Sequence, residues 1–531
     1  MSQVVERFAR VKHHGHKNNQ WKCFGTLIYC LAISLLFLLI CTKSSPLYPF
    51  NDWVDANAYF TVGKGMMNGL IPYRDLFEQK GPLLFLIHGL AYLISNTTFL
   101  GVFVFEVVAF TVFLYYCHKI ILLFFDIKHS VVGLPLIAAI VLNMKAFSYG
   151  DSAEEWCIPL ITISLFHILN YVKNKYPQPI DNRLIFVIGF WAGCVLWIKF
   201  TLLGFWIGWV LSISILLLIN KEYLCVIKSW ISFLSGMFLA TLPWLVYFGI
   251  NNSIMDWLET YFYINMVYYS ASKSLLERLV GVATEIAIGF GLNYLFGIVF
   301  IIGALFFMRK NDLIDHRLSR IGLLPCILFT ILGTYGGGTG YIYYFLIFAP
   351  FLVLGIITIG WLLTTKYNDL LTFRSSAAVA LFIILAAWPL TIKFNHNADL
   401  LGADKKELFQ YQMADVINED GGTTLLNYGT LDIGLYTVTN ITPNVRFFYK
   451  PNISYSRFPL IMDEQNRYIK ERAVDYVVMV KPASQDSNEM NVPGLYDKYE
   501  MIMEHHTEIN MNKYGLSNDY TQVKYLLFRA L

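Results

Sequence analysis

The chain has 531 residues, of which 56% are hydrophobic, 16% aromatic and only 15% charged. That balance excludes a single soluble domain and a disordered chain. A net charge of +3 gives no basis for a nucleic-acid partner.

Apolar runs of about 20 residues, the length that crosses a hydrocarbon core, recur from Cys23 to Lys393. The fold class is therefore an α-helical polytopic membrane protein, in contact with membrane lipids throughout. Residues 1–22 carry Arg7, Arg10, Lys12, Lys17 and Lys22 ahead of the first apolar run, with no small-residue cleavage site. They are expected to be a basic cytoplasmic N-terminus holding a first, uncleaved span. Ten further spans are expected near 100–125, 130–147, 156–173, 183–198, 201–220, 227–250, 290–308, 320–336, 342–364 and 376–393. The apolar piece from Pro82 to Ile94 is too short to span and is expected to lie at the outer membrane surface. With eleven spans, Lys and Arg concentrate on the cytoplasmic side, as the positive-inside rule requires. The eight cysteines sit in or beside apolar runs without paired spacing, which reads as core packing and not as a disulfide or zinc framework.

Three regions follow: the cytoplasmic segment 1–22, a transmembrane domain 23–393 with a first outer loop at 43–99, and a C-terminal segment 394–531. The last has 13 Lys and Arg against 18 Asp and Glu and no cysteine. A helix over about 404–416, a strand at 423–428, a helix over 463–472 and a strand at 474–480 predict a small extracytoplasmic α/β domain. It has no catalytic motif of its own and is expected to cap the membrane site or to dock the acceptor.

The first outer loop is where polar chemistry concentrates. Asp52, Asp55, Arg74, Asp75, Glu78 and Lys80 follow directly on the first span. A second acidic group, Asp151, Glu154 and Glu155, precedes the fourth span, and Lys199 stands between spans five and six. Read alone, Lys199 could snorkel to the interface, Arg74 could simply pair with Asp75, and Tyr341, Tyr343 and Tyr344 could belong to an aromatic belt. Glu106, inside the second span, calls for a partner or a cavity. His88 reads as an interfacial packing residue.

The loop resembles that of the GT-C glycosyltransferases, in the bacterial branch of protein mannosyltransferases and of the aminoarabinose and galacturonic-acid transferases. Three elements carry the resemblance, in order: Asp55-Ala56-Asn57-Ala58-Tyr59, Gly69-Leu70-Ile71-Pro72-Tyr73 and Lys80-Gly81-Pro82. It covers the loop and the layout of roughly residues 20–365. The resemblance implies a sugar donor on a polyprenyl phosphate and an extracytoplasmic acceptor, which could be a cell-wall polymer, a lipid or a protein. It implies inverting transfer, with Asp55 as general base and Lys80, Lys199, Arg74 and Tyr344 as donor-phosphate contacts. Glu154 or Glu155 would be a second acidic group, and Glu155, nearer the span, is expected to be the one facing Asp55. The resemblance makes no cofactor certain. A divalent cation stays open, because some relatives hold one through an acidic residue just before the loop lysine, where this chain has Gln79. The rival reading is a transporter or flippase of polysaccharide or lipid-linked sugar, which would place its charges at mid-membrane depth.

Overall fold

The computed structural model describes residues 19–176, 178–269, 273–309, 313–314, 322–338, 340–367, 371–487, 491–510 and 520–531. Most of the expected basic N-terminus therefore lies outside the described residues. Helix α1 (Asn19–Cys41) is followed by the outer loop, which folds into α2 (Val54–Met67) and α3 (Pro82–Ile94). Next come α4 (Leu100–Leu122), α5 (Ile127–Leu142), α6 (Ala153–Asn174) and α7 (Asn182–Leu196). A 3-10 turn, Phe200–Leu203, leads into α8 (Gly204–Ile219), followed by α9 (Tyr223–Ile250) and α10 (Ile254–Leu258). Helix α10 runs into a π-helical stretch, Glu259–Tyr269. Helices α11 (Leu275–Leu292) and α12 (Tyr294–Met308) meet at a bend of 111°. The membrane part closes with α13 (Leu323–Tyr335), a 3-10 stretch Ile342–Phe351 continued by α14 (Leu352–Tyr367), and α15 (Phe373–Phe394).

Seven helices among the described residues are long and apolar enough to cross a membrane, or eight with the bent pair as one span. The three remaining expected spans coincide with apolar helices of 16, 15 and 13 residues, α5, α7 and α13. Many large apolar side chains point outward, Leu224 at 72% exposure among them, as lipid-facing helices demand. The helices approach closely where the sequence has small residues. A Cβ on Gly189 would stand 2.1 Å from the Phe233 carbonyl, and one on Gly236 2.1 Å from that of Phe186, so α7 and α9 cross at backbone contact. Hydropathy missed two elements. The π-helical stretch alternates charged, polar and aromatic residues, and α11 carries Glu277, Arg278 and Glu285.

The C-terminal part is α/β, as predicted. It comprises α16 (Phe409–Glu419), β1 (Leu425–Asn427), α17 (Leu435–Val438), α18 (Leu460–Glu471), β2 (Tyr476–Pro482), α19 (Leu495–Lys498), β3 (Tyr499–Asn510) and β4 (Tyr520–Ala530). The sheet order is β1-β2-β4-β3. β1 and β2 are parallel, with Leu426 opposite Val477, while β4 runs antiparallel to both its neighbours. The β3–β4 hairpin was not anticipated, since Glu500, Glu504 and Lys524 interrupt its apolar pattern.

Candidate functional site

Helix α2 is buried on nearly every side, and its residues sort into stripes by helical spacing. Asp55 and Tyr59, four apart, form one. The Tyr59 hydroxyl donates to Asp55 Oδ2 at 3.3 Å. Tyr343, from the 3-10 stretch before α14, donates to the same oxygen at 3.2 Å. Asp55 lies in the first turn of its helix, where the positive end of the backbone dipoles favours a carboxylate. Burial, followed by the charge of Asp55, keeps the Tyr59 phenol protonated and so a donor. Both phenols thus meet on the one oxygen, Oδ2.

The loop then returns to bring Lys80 over the Tyr59 ring, 5.3 Å from its centre. The turn is held by Tyr73, in a left-handed conformation at φ 71°, whose hydroxyl donates to the Lys80 carbonyl at 2.7 Å. Buried Glu78 accepts from the Lys80 backbone N–H at 2.5 Å. Burial raises the Glu78 carboxyl, and the Lys80 charge opposes that shift. Burial pulls the Lys80 ammonium down, but Glu78 and Asp55 together outweigh it, so its net shift is upward and it stays charged.

Gly81 explains how the two lysines meet. Its N–H donates to the Ile198 carbonyl at 3.0 Å, and the Leu83 N–H donates to that of Trp197 at 2.9 Å. A Cβ at Gly81 would lie 2.1 Å from the Trp197 oxygen, so only glycine lets these backbones touch. One residue beyond, Lys199 places Nζ 3.5 Å from the Tyr344 ring centre and 5.9 Å from that of Tyr343. Its partner is Glu154 Oε1 at 2.6 Å. Asp55, Lys80, Lys199 and Tyr344 thus converge on one cluster of tyrosines.

Two of the expected contacts fall elsewhere. Glu154, not Glu155, meets Lys199. Glu155 follows its neighbour on the helix and so turns about 100° away, where its Oε2 accepts from the Asp151 N–H at 2.7 Å. Arg74 is exposed, forked onto Asp75 at 2.8 Å through two nitrogens and bonded to the Asn251 carbonyl at 3.0 Å. It fastens the loop to the end of α9 and does not point among the tyrosines.

Behind the cluster is a buried polar group that the sequence did not reveal. His88 Nε2 lies 3.0 Å from both oxygens of Asp151, which also accepts from Trp156 Nε1 at 2.9 Å. His88 is therefore wholly buried, packed against polar partners. Glu106 finds its partners in Thr42, at 2.9 Å, and in the Asp151 N–H, at 2.9 Å. These contacts tie α1, α3, α4 and the start of α6 together beneath Tyr59, whose ring meets His88 edge-on at 5.5 Å.

The C-terminal domain grips the other stripe of α2. Thr437 donates to Asn57 Oδ1 at 2.9 Å, Thr61 to Asp432 at 2.7 Å, and Lys64 to the Tyr436 carbonyl at 2.5 Å. Burial lowers Lys64 to about 7 despite Asp432 nearby, and raises the Asp432 carboxyl. Further along, the Phe77 N–H donates to the Arg446 carbonyl at 2.9 Å, and the Tyr449 hydroxyl to Glu78 at 3.4 Å. The domain therefore reaches the site itself. Among the described residues no three His, Cys, Asp or Glu side chains are grouped to hold a metal ion.

Residues 16–379 match the family model described as the competence-induced protein Ccs4 N-terminal domain. The chain belongs to that family. Among solved structures it is similar to ArnT from Cupriavidus metallidurans bound to undecaprenyl phosphate, with a TM-score of 0.58 and 11% identity over 94% of this chain and 98% of that one. The apo state of ArnT gives a TM-score of 0.57 at 12% identity, over 95% and 98%. No curated protein sequence matches the chain. The GT-C fold implied by the outer loop is the fold of this multi-pass membrane protein.

Proposed function

We propose that the protein transfers a sugar from a polyprenyl-phosphate donor to an extracytoplasmic acceptor. The observation that carries this reading is the convergence of a carboxylate held by two phenols with two lysines from separate segments. ArnT, whose fold the chain shares, is bound to undecaprenyl phosphate in its crystal structure, which supports a lipid phosphate as the donor's carrier. Asp55 takes the proton of the acceptor hydroxyl, whose oxygen attacks the anomeric carbon. The bond to the phosphate oxygen breaks, its electron pair staying with the phosphate, and the configuration inverts. Lys80 and Lys199 hold the departing phosphate. Positive charge placed in advance where negative charge develops is the larger catalytic term, and proton removal adds about 10²–10⁴-fold. Glu154 restrains Lys199 until donor binds, and Tyr344 supplies the aromatic floor beneath it. Arg74 acts on the loop, outside the donor contacts.

The C-terminal domain caps the site on the outer side of the membrane, with the N-terminus in the cytoplasm. Purified protein should consume a polyprenyl-phosphate sugar and release the lipid phosphate. Failure to turn over any such donor, in the presence of wall glycan, lipid and peptide acceptors, would sink the proposal.

A further inference from the structure

We infer that Tyr261 and Asn265, on the π-helical stretch, are positioning residues that brace the Lys199 and Lys80 segments against each other so that both lysines reach one phosphate. This deepens the glycosyl-transfer reading and rests on it for what the lysines grip. A brace is needed because the Lys199 charge acts against that of Lys80. Two ammoniums repel, so the lysines do not hold their own segments together. Tyr261 and Asn265 stand four residues apart, close to one turn, and so share a face of the stretch.

Tyr261 closes the bend around Lys199. Its hydroxyl donates to the Leu196 carbonyl at 2.5 Å and accepts from the Phe200 N–H at 2.9 Å. Leu196 ends α7 and Phe200 opens the 3-10 turn, so one phenol ties the chain on both sides of Lys199. A hydroxyl donates and accepts at a single atom, which this bend uses in full. The buried ring stands edge-on to Phe200 at 5.4 Å and lies 5.8 Å from Trp197. Asn265 acts on Lys80. Its Nδ2 donates twice, to the Gln79 carbonyl and to the Tyr261 carbonyl, each at 2.8 Å. Lys80 is thereby caught between two anchors, Gln79 on the π-helical stretch and Gly81 on the Ile198 carbonyl. The second Asn265 bond joins this anchor to the residue that holds the other lysine. A π-helix is rare beyond one turn and is found most often at functional sites, yet eleven residues adopt it here. At its far end Tyr268 packs on Phe458 of the C-terminal domain at 5.0 Å, and Phe458 is stacked on Phe77 at 6.1 Å. Packing alone would need the rings, and neither the phenol oxygen nor the amide.

The test uses the full chain in phospholipid nanodiscs, with undecaprenyl phosphate as the probe in equilibrium binding. Tyr261→Phe keeps the ring and removes the oxygen, and Asn265→Leu keeps the shape and removes the amide. Each should weaken binding by about 10-fold or more, toward the loss of one lysine contact. Met266→Ala, on the exposed side of the same stretch, should bind as wild type. The deciding measurement is a double-mutant cycle. Lys80→Met should cost less in the Asn265→Leu background than alone, and Lys199→Met less in the Tyr261→Phe background, because the contact is already lost. A residue that served stability alone would lower the thermal midpoint and leave the cost of each lysine change intact. That result, wild-type affinity in both variants, or no binding by wild-type protein would overturn the inference. If one variant does not insert, the cycle on the other decides. Donor turnover by wild-type protein is measured separately. Its absence would remove the enzymatic reading while the binding cycle still judges the brace, and its presence with uncoupled lysines would remove the brace alone.

Discussion

The contact at Gly81 makes a sharp prediction. In Gly81→Ala the new methyl carbon would start 2.1 Å from the Trp197 oxygen and 2.3 Å from its carbonyl carbon. Ordinary contact begins near 3.4 Å, so the two backbones must part by about 1 Å, and neither atom belongs to a side chain that could swing aside. Gly81 has φ −80° and ψ 153°, which alanine adopts without strain, so the change would even gain about 0.4–1 kcal/mol through the unfolded chain. Overpacking costs about 1–3 kcal/mol, and the two backbone hydrogen bonds to Trp197 and Ile198 are worth about 0.5–1.5 kcal/mol each. The clash therefore wins. Misplacing Lys80 from Lys199 by 1 Å should cost about 100-fold in kcat/KM for the donor. Gly65→Ala is the control, since its nearest obstacle is the tip of Leu76, at 2.3 Å, which can rotate away. Donor turnover and thermal midpoint, measured on both variants, decide the matter. Wild-type values for Gly81→Ala would show that this backbone contact does not set the distance between the lysines.

Asp55→Asn should insert and fold normally while transfer falls at least about 100-fold. Asp52→Asn should lose less, since Asp52 is held by Lys43 at 2.5 Å, and near-normal turnover of the Asp55 variant would move the base elsewhere. Lys80→Met and Lys199→Met should each cost roughly 10- to 150-fold in donor use. The double variant should depart from the product of the two, because both touch one phosphate; strict additivity would argue against a shared anion. Lys64 loses its proton near 7 in the fold and near 10.5 when unfolded. The unfolded chain therefore binds more protons between those values, and stability should rise with pH there by up to about 1.4 kcal/mol per unit. In Lys64→Met that rise should be absent, and parallel stability curves for the two proteins would exclude a titrating Lys64. A cysteine at Asn96 should react with an impermeant thiol reagent from outside while one at Lys175 does not, and protection of the first would invert the topology beyond α3.

The residues proposed as base and phosphate contacts stood out because each sits in a short local pattern. Asp55 and Tyr59 share a helical face by spacing alone, and Lys80 closes the ordered pattern of the outer loop. What stayed hidden is long-range. His88 meets Asp151 across 63 residues and Thr42 meets Glu106 across 64, and no window of sequence brings those groups together. The choice between Glu154 and Glu155 failed on a single turn angle, since nearness to a span says nothing about which way a side chain points. The C-terminal segment could be recognised as a small α/β unit from its composition and strand pattern. That Thr437, Asp432 and Tyr436 clasp the helix carrying Asp55 depends on contacts spanning more than 370 residues.

That clasp also has a consequence for biogenesis. The family match ends at residue 379, short of every residue that grips α2. During synthesis, Asn57, Thr61 and Lys64 are made early and must wait until residues 432–437 have been made and folded over them. Closure of these residues over α2 thus follows synthesis of the membrane helices, and a chain released before residue 432 would sit in the membrane without the contacts that hold Asn57, Thr61 and Lys64.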